Sequence, residues 1–180
     1  MPQAPEKPGP RTARIAEMLR VDHAGEYGAV AIYRGQRAVF AALPHKEKIA
    51  RQIEEMEAGE EEHLETFDRL LATRGVRPTL LSPFWNAAGF GLGAATALMG
   101  EKAAMACTAA VEDVIEQHYG EQAAALEADE PALAATIRQF REEEIGHKTT
   151  AEEAGAGGHP LLSAAIRLGC RAAIRLAEKI

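Results

Sequence analysis

A Glu-x-x-His motif that occurs twice on apolar helical faces constrains this chain more strongly than any other feature. Glu60 and His63 stand three residues apart in GEEEHLETF, and Glu144 and His147 have the same spacing in FREEEIGHK. This spacing places both side chains on one face of a helix. The two faces also carry apolar residues, namely Ile53, Met56, Leu64 and Phe67 for the first and Ile137 and Phe140 for the second. Both pairs are therefore expected to point into a core.

One further glutamate precedes each motif by about the length of a helix. Glu26 lies 34 residues before Glu60, and Glu112 lies 32 residues before Glu144. The chain thus repeats one pattern: a glutamate on one helix, followed by Glu-x-x-His on the next. A repeated helix pair of this kind predicts that four carboxylates and two imidazoles converge inside an antiparallel helix bundle.

This set of donors suits a pair of divalent metal ions. Two ions about 3.5–4 Å apart need bridging carboxylates, which offset their mutual repulsion. Neutral imidazole combined with hard oxygen donors suits iron or manganese, and the chain has no clustered cysteines of the kind that hold structural zinc. Four buried carboxylates without a cation would also be costly. We predict a dinuclear metal centre held by Glu26, Glu60, His63, Glu112, Glu144 and His147.

Neighbouring polar residues leave some assignments open. Taken singly, each glutamate is typical of a solvated helix face, and three others compete for the same positions: Glu62, Glu116 and Glu143. Asp22 and His23 flank the face of Glu26, where they could orient a metal ligand or serve ordinary surface roles. His118 is rotated away from Glu112 on an ideal helix, which leaves a role beside the ligands or at a substrate entrance. The tyrosines fit packing or hydrogen bonding near the site: Tyr27, Tyr33 and Tyr119.

Helical character extends through almost the whole chain from residue 12, and no segment alternates with the period of a strand. Five helices are predicted, at about 12–42, 46–73, 101–127, 131–153 and 161–179. Four long helices with mostly short connections predict an all-α, ferritin-like four-helix bundle with an additional C-terminal amphipathic helix. Residues 1–11 are expected to be a disordered, proline-rich lead, and residues 12–180 a single ferritin-like domain.

The connection between the second and third predicted helices has no charged residue from Thr79 to Gly100. Its length would span a bilayer. Ser82, Pro83, Asn86 and four glycines instead favour an interfacial or re-entrant segment, with the start of a buried helix as a further alternative.

The last predicted helix carries a basic stripe with a spacing of four residues: Arg167, Arg171, Arg175 and Lys179. Such a helix can lie on an anionic membrane surface, or it can pack on the protein with its charged face outward. Together with the uncharged segment, the stripe favours a peripheral membrane protein.

The bulk composition excludes one class of partner and favours one compartment. The 180 residues have a formal net charge of −7, which argues against nucleic acid as a partner. Two cysteines, Cys107 and Cys170, form no disulfide framework, so a reducing compartment is expected. The start of the chain has no apolar signal region, and secretion is not expected.

Several segments resemble the demethoxyubiquinone hydroxylase family: LRVDHAGEYGA, EEEHLETF, RPTLLSPFWNAAGFGLGAATALMG, AMACTAAVEDVIEQHY, FREEEIGHK and GCRAAIRLAEKI. The resemblance covers roughly residues 12–180, and the family's ligands fall on the six residues that the repeat selects. It implies a di-iron monooxygenase of ubiquinone biosynthesis, which hydroxylates 2-polyprenyl-3-methyl-6-methoxy-1,4-benzoquinol with O2. The six ligands would then be catalytic through the metal centre.

The resemblance also implies cofactors and partners. These are two Fe ions per chain, O2 as co-substrate and an external reductant, with NADH or the quinone itself as candidates. The expected partners are the polyprenyl quinol and the membrane surface, with a homo-oligomer or a ubiquinone-biosynthesis complex left open. The start of the chain is unlike a mitochondrial transit peptide, so we expect a bacterial, peripheral protein at the cytoplasmic face of the inner membrane.

Three other functions use part of the same pattern. A ferritin-like protein that oxidises or stores iron would need the ligands but not the long uncharged segment. A rubrerythrin-like peroxidase usually adds a cysteine-rich iron domain. A non-catalytic, membrane-associated quinone-binding protein would leave the six ligands without a reason.

Overall fold

The computed structural model describes residues 9–178, and its regular structure is helical throughout. Six α-helices follow one another in this part of the chain: α1 (Pro10–Ala41), α2 (Glu47–Arg74), α3 (Ser82–Leu98), α4 (Glu101–Leu126), α5 (Pro131–Glu153) and α6 (Pro160–Ala177). Two short 3-10 turns precede α2 and α6. The all-α prediction is confirmed. Of the predicted lead, residues 1–8 lie outside the described residues, and α1 begins slightly earlier than expected.

Proline and glycine mark the ends of the helices. Pro10, Pro131 and Pro160 open α1, α5 and α6, where the missing N–H removes no helical hydrogen bond. Gly75 ends α2 with a left-handed backbone (φ of 64°), and Gly100 separates α3 from α4 with a φ of 111°. Both values favour glycine, because a side chain at a positive φ meets the backbone.

Helices α1, α2, α4 and α5 form the bundle, with α1 against α2 and α4 against α5. Two apolar clusters fill the bundle at different heights. One includes Tyr33, Phe40, Ile53, Met56 and Met105, and the other includes Leu19, Phe67, Leu71, Ile137 and Phe140. On every bundle helix, the predicted metal ligands lie between the residues of the two clusters. The bundle therefore has a polar layer at mid-height, enclosed by apolar layers.

The uncharged segment contains a full helix, α3, which lies along α1. Backbone-to-backbone contact brings the two helices together. A Cβ atom at Gly89 would stand 2.6 Å from the carbonyl oxygen of Gly28, and one at Gly93 would overlap the carbonyl oxygen of Ile32. Only glycine fits such contacts. None of the helices in residues 9–178 is long and apolar enough to cross a membrane.

Helix α6 lies along α4, as α3 lies along α1, so each half of the chain folds as three helices. In the basic stripe of α6, Arg167 is half-buried, whereas Arg171 and Arg175 are exposed. Arg167 Nε donates to Asp113 Oδ2 at 2.8 Å, and Arg171 donates to Gln117 Oε1 at 3.4 Å, both on α4. Lys179 lies outside the described residues. Three large apolar residues of α6 are exposed as well: Leu161, Leu168 and Leu176.

We predict that Gly93→Ala destabilises the fold, because the added methyl group would overlap the backbone of α1. Overpacking of this kind lowers the free energy of unfolding by about 1–3 kcal/mol. Gly91→Ala on the same helix is the matched control, since nothing lies within 4 Å of its Cβ position. Alanine there should stabilise the helix by up to about 1 kcal/mol. Urea unfolding followed by circular dichroism measures the free energy of unfolding of both variants. Equal stability of the two would contradict the close contact between α3 and α1.

Candidate metal centre

The structure brings all six predicted ligands together at the polar layer. Glu26 comes from α1, Glu60 and His63 from α2, Glu112 from α4, and Glu144 and His147 from α5. The four carboxylates and His63 are at most 1% exposed, whereas the side chain of His147 is 16% exposed. The helical spacing of three residues therefore placed each Glu-x-x-His pair on the inner face, as expected.

The side chains form two groups that could each hold one metal ion. The first group is Glu26, Glu60, His63 and Glu144, and the second is Glu60, Glu112, Glu144 and His147. Within each group, one donor atom per residue lies within 4.8 Å of the others. Glu60 and Glu144 belong to both groups, which is the position of bridging carboxylates.

Both imidazoles point Nδ1 towards the shared carboxylates. His63 Nδ1 is 3.1 Å from Glu144 Oε1 and 3.8 Å from Glu60 Oε2. His147 Nδ1 is 2.8 Å from Glu60 Oε1 and 3.6 Å from Glu144 Oε2. Each ring nitrogen therefore faces one oxygen of each bridging residue, and the outer nitrogen Nε2 of each ring points away from the cluster.

The inner atoms of the cluster lack hydrogen-bond partners. These atoms are both carboxylate oxygens of Glu60 and Glu144, Oε2 of Glu26 and Glu112, and Nδ1 of His63 and His147. Buried polar atoms almost always have a partner, and leaving one without any is costly. Eight such atoms that face one another are the donor set that two divalent cations would satisfy. The residues present therefore fit a dinuclear metal centre.

Protons partly compensate the cluster when no cation is present. Burial and the charge of Glu144 raise the pKa of Glu60 and of Glu112 well above the ordinary value. Burial would also raise the pKa of Glu144, but the close approach of both histidines and of Glu112 lowers it to about 2. Burial opposes charging of the imidazoles, yet the surrounding carboxylates raise the pKa of His63 to about 12 and of His147 to about 10.

Two tyrosines connect the halves of the chain in a reciprocal way. Tyr33 on α1 donates to Glu112 Oε1 on α4 at 2.6 Å, and Tyr119 on α4 donates to Glu26 Oε1 on α1. Each tyrosine follows the glutamate of its own helix by seven residues but binds the glutamate of the other half. These bonds occupy one outer oxygen of each terminal carboxylate, so the inner oxygen is left for the metal. Tyr27 lies elsewhere, beside His23.

The glutamates that competed with the predicted ligands have other positions. Glu143 accepts a hydrogen bond from His63 Nε2 at 2.6 Å. Burial would raise the pKa of Glu143, but this bond lowers it. Glu116 binds Lys148 at 2.6 Å, and Glu62 is exposed. His23 binds Asp68 at 3.0 Å rather than a ligand.

An apolar cavity of about 510 Å³ lies between α1, α3, α4 and α6 and reaches the polar layer of the bundle. Glu26 and Tyr119 are part of its wall, together with apolar side chains such as Trp85, Leu92 and Ile166. The sequence did not reveal this cavity, because the helices that enclose it are distant along the chain.

Asp22 and His118 are further polar residues in the wall of this cavity. His118 Nε2 is 3.3 Å from Asp22 Oδ1, and Gln122 donates to Asp22 Oδ2 at 2.6 Å. Burial raises the pKa of Asp22, although the bonds from His118 and Gln122 oppose this. Burial would lower the pKa of His118, but the bond with Asp22 raises it. Sequence reasoning left His118 without a definite role and missed Gln122, because their contacts cross from α4 to α1.

Fold and site together define a class: a ferritin-like helix bundle with a buried carboxylate and histidine cluster beside an apolar cavity. The chain belongs to the family described as ubiquinone biosynthesis protein COQ7, which matches residues 13–177.

Curated relatives support this membership over most of their length. The chain is 49% identical over 179 residues to the 3-demethoxyubiquinol 3-hydroxylase of Rhodospirillum rubrum, covering 98% of this chain and 82% of the relative. It is 44% identical over 174 residues to the mitochondrial NADPH-dependent 3-demethoxyubiquinone 3-hydroxylase of Mus musculus, covering 93% and 78%. The mitochondrial 5-demethoxyubiquinone hydroxylase of Saccharomyces cerevisiae is 38% identical over 189 residues, covering 94% and 80%. The family expected from the resemblance is confirmed.

We predict that metal stabilises the protein more at higher pH. The pKa values of His63, His147, Glu60 and Glu112 are raised by folding, so their contribution to stability is present below the unfolded-state pKa and is lost as pH rises towards the folded-state value. Without metal, the melting temperature should therefore fall between about pH 6.5 and about pH 8.5. Glu144 does not contribute there, because its pKa of about 2 lies below this window.

Metal must displace these protons, so the rise in melting temperature on adding metal should grow across the same window. Paired thermal melts with Mn²⁺ and with a chelator measure this difference. A metal-induced rise that stays constant or shrinks with increasing pH would contradict the protonated cluster.

Proposed function

We propose that this chain is a di-iron monooxygenase of ubiquinone biosynthesis. Its reaction is the hydroxylation of the vacant ring carbon of a 2-polyprenyl-3-methyl-6-methoxy-1,4-benzoquinol with O2. The observation that carries the proposal is the buried cluster of four glutamates and two histidines with an apolar cavity leading to Glu26. The relatives from Rhodospirillum rubrum and Mus musculus carry names that state a hydroxylase activity on the corresponding quinol or quinone.

Two Fe²⁺ ions fit the cluster by charge as well as by geometry. Four carboxylates carry four negative charges, which balance the four positive charges of the ion pair, and neutral imidazoles add no charge. Glu60 and Glu144 would bridge the ions, whereas Glu26 with His63 and Glu112 with His147 would each complete one position. When bound, the iron pair supplies the redox chemistry that O2 activation requires.

The cavity supplies a place for the quinol. Its apolar wall suits a prenyl chain, and the ring would lie at the inner end beside Glu26 and Tyr119. Exclusion of water from this wall protects the reaction from side reactions.

His118 lies in the cavity wall, where its imidazole could exchange a proton with a ring hydroxyl. Asp22 occupies its Nε2, which fixes the orientation of the ring and leaves Nδ1 for the substrate. Gln122 holds Asp22 in turn, so the carboxylate keeps its place when His118 changes protonation.

The reductant is proposed to be external, and the name of the mouse relative favours a nicotinamide nucleotide. NADH, expected from the resemblance, and NADPH are both of this class. Transfer through the quinone itself is the other route, and it would use the same cavity.

The membrane is proposed to contact the outer faces of α3 and α6, at the cytoplasmic face of the bacterial inner membrane. Large apolar residues are exposed there: Leu80, Phe84, Leu98, Met99, Leu161 and Leu168. The same two helices line the cavity, so a lipid-dissolved quinol could enter between them. A second copy of the chain or another enzyme of ubiquinone biosynthesis is proposed as a further partner.

We expect Glu144→Ala to abolish turnover and to weaken metal binding while the chain stays helical. The change removes a carboxylate shared by both metal groups, whereas Glu142→Ala removes an exposed neighbour and should behave as wild type. Each protein is loaded with iron, reduced, and mixed with a short-chain demethoxyquinol and ¹⁸O2 for one turnover. Mass spectrometry should find one labelled oxygen in the ring for wild type. Iron oxidation without any labelled product would favour the storage or peroxidase functions instead.

Vesicle binding should depend on α3. Phe84→Ser and Leu98→Ser each remove an exposed apolar side chain, and each should weaken binding to anionic vesicles roughly tenfold or more. Leu43→Ser is the matched control, because Leu43 is also exposed but lies between α1 and α2. Cosedimentation measures the effect, and equal losses for all three variants would argue against this face.

A further inference from the structure

The internal repeat that aligns the two halves of the metal centre breaks at one position. Glu60 and His63 correspond to Glu144 and His147, so the residue before the first glutamate, Gly59, corresponds to Glu143. One half therefore carries a carboxylate where the other half has no side chain. Glu143 and Gly59 each lie beside the Nε2 atom of one of the two histidines, which needs a hydrogen-bond partner.

Three residues of α5 hold the side chain of His63 from outside, two by direct contact and one through Glu143. Glu143 accepts from Nε2 at 2.6 Å, and Gln139 donates to the other oxygen of Glu143 at 3.0 Å. Phe140 stacks on the imidazole with ring centroids 4.1 Å apart. With the proton fixed on Nε2, Nδ1 presents its lone pair to the first metal group.

His147 has no such support. Within residues 9–178 the polar contacts of His147 are made by Nδ1, and no residue accepts a hydrogen bond from its Nε2. The backbone of Gly59 lies against this edge of the ring, and a Cβ atom there would stand 3.2 Å from both Nε2 and Cε1. A carboxylate at this position could not adopt the arrangement that Glu143 has with His63. Since the side chain is 16% exposed, solvent is the partner within reach.

We propose that Glu143 is a positioning residue that makes the two metal positions unequal: the position of His63 binds its ion first and more tightly, and that of His147 binds second. This inference rests on the proposed dinuclear centre. A carboxylate on the outer nitrogen fixes the tautomer of a metal-binding histidine and raises its basicity. Only the first metal group has this support, although the bridging glutamates are common to both.

Stepwise binding of Co²⁺ to the metal-free protein tests the proposal by calorimetry, without any need for turnover. Wild type should bind two ions in two separate steps. Glu143→Ala should weaken the tighter step about 10- to 100-fold and leave the weaker step nearly unchanged. Glu143→Gln should lose less affinity at the tighter step, because its amide oxygen can still accept a hydrogen bond from Nε2 of His63. Glu142→Ala, which removes the exposed neighbour, should match wild type.

Proton NMR of the Co²⁺-loaded protein gives a second readout that a general loss of structure would not imitate. Wild type should show one slowly exchanging, paramagnetically shifted imidazole N–H signal, from His63, and Glu143→Ala should lose it. The side chain of Glu143 is 44% exposed, so the variants are expected to fold.

The inference alone would be overturned by equal affinities for both ions in wild type, or by an equal loss at both steps in Glu143→Ala. An unchanged titration in Glu143→Ala would do the same. A wild-type protein that binds no Co²⁺ would overturn the dinuclear centre itself, and the inference with it.

Discussion

The burial of four carboxylates and two imidazoles in one layer of the bundle is the constraint on which the rest of the structure depends. Charged groups at this depth are tolerated only when they are paired, protonated or bound to cations. The surrounding side chains satisfy the outer atoms: Tyr33 and Tyr119 bind the terminal glutamates, and Glu143 binds His63. The inner atoms are left without partners and face one another. The site is thus prepared for cations at a cost in stability of the metal-free protein.

The repeat of three helices explains how one short pattern builds the proposed two-ion site. Each half contributes a terminal glutamate, a bridging glutamate, a histidine and a tyrosine, and the tyrosines cross between the halves. The symmetry is not complete. The cavity reaches Glu26 and Tyr119 but not their counterparts Glu112 and Tyr33. Glu26 belongs to the same metal group as His63, whose ring Glu143 holds. This group is therefore the one nearest the cavity, and the proposed tighter ion would lie on the side of the substrate.

Much of this arrangement could be predicted from the chain. The five predicted helices occur close to the expected bounds, because proline and glycine end them and apolar residues recur at helical spacing. The six side chains could be chosen because their spacing repeats. Helix α3 was harder to predict, because a segment without charged residues has no polar face that would indicate a helix. The contact of Arg167 with Asp113 could not be predicted, because the two residues are 54 positions apart in the chain.

Local spacing along the sequence was sufficient to select the helices, the inward faces and the residues Glu26, Glu60, His63, Glu112, Glu144 and His147, because each of these depends on neighbours within about one or two helical turns. Only the tertiary structure decided which groups meet across helices. In the tertiary structure His118 contacts Asp22, His63 contacts a carboxylate that His147 lacks, and a cavity lies on one side of the polar layer. These features depend on distances between segments far apart in the chain, which no local pattern records.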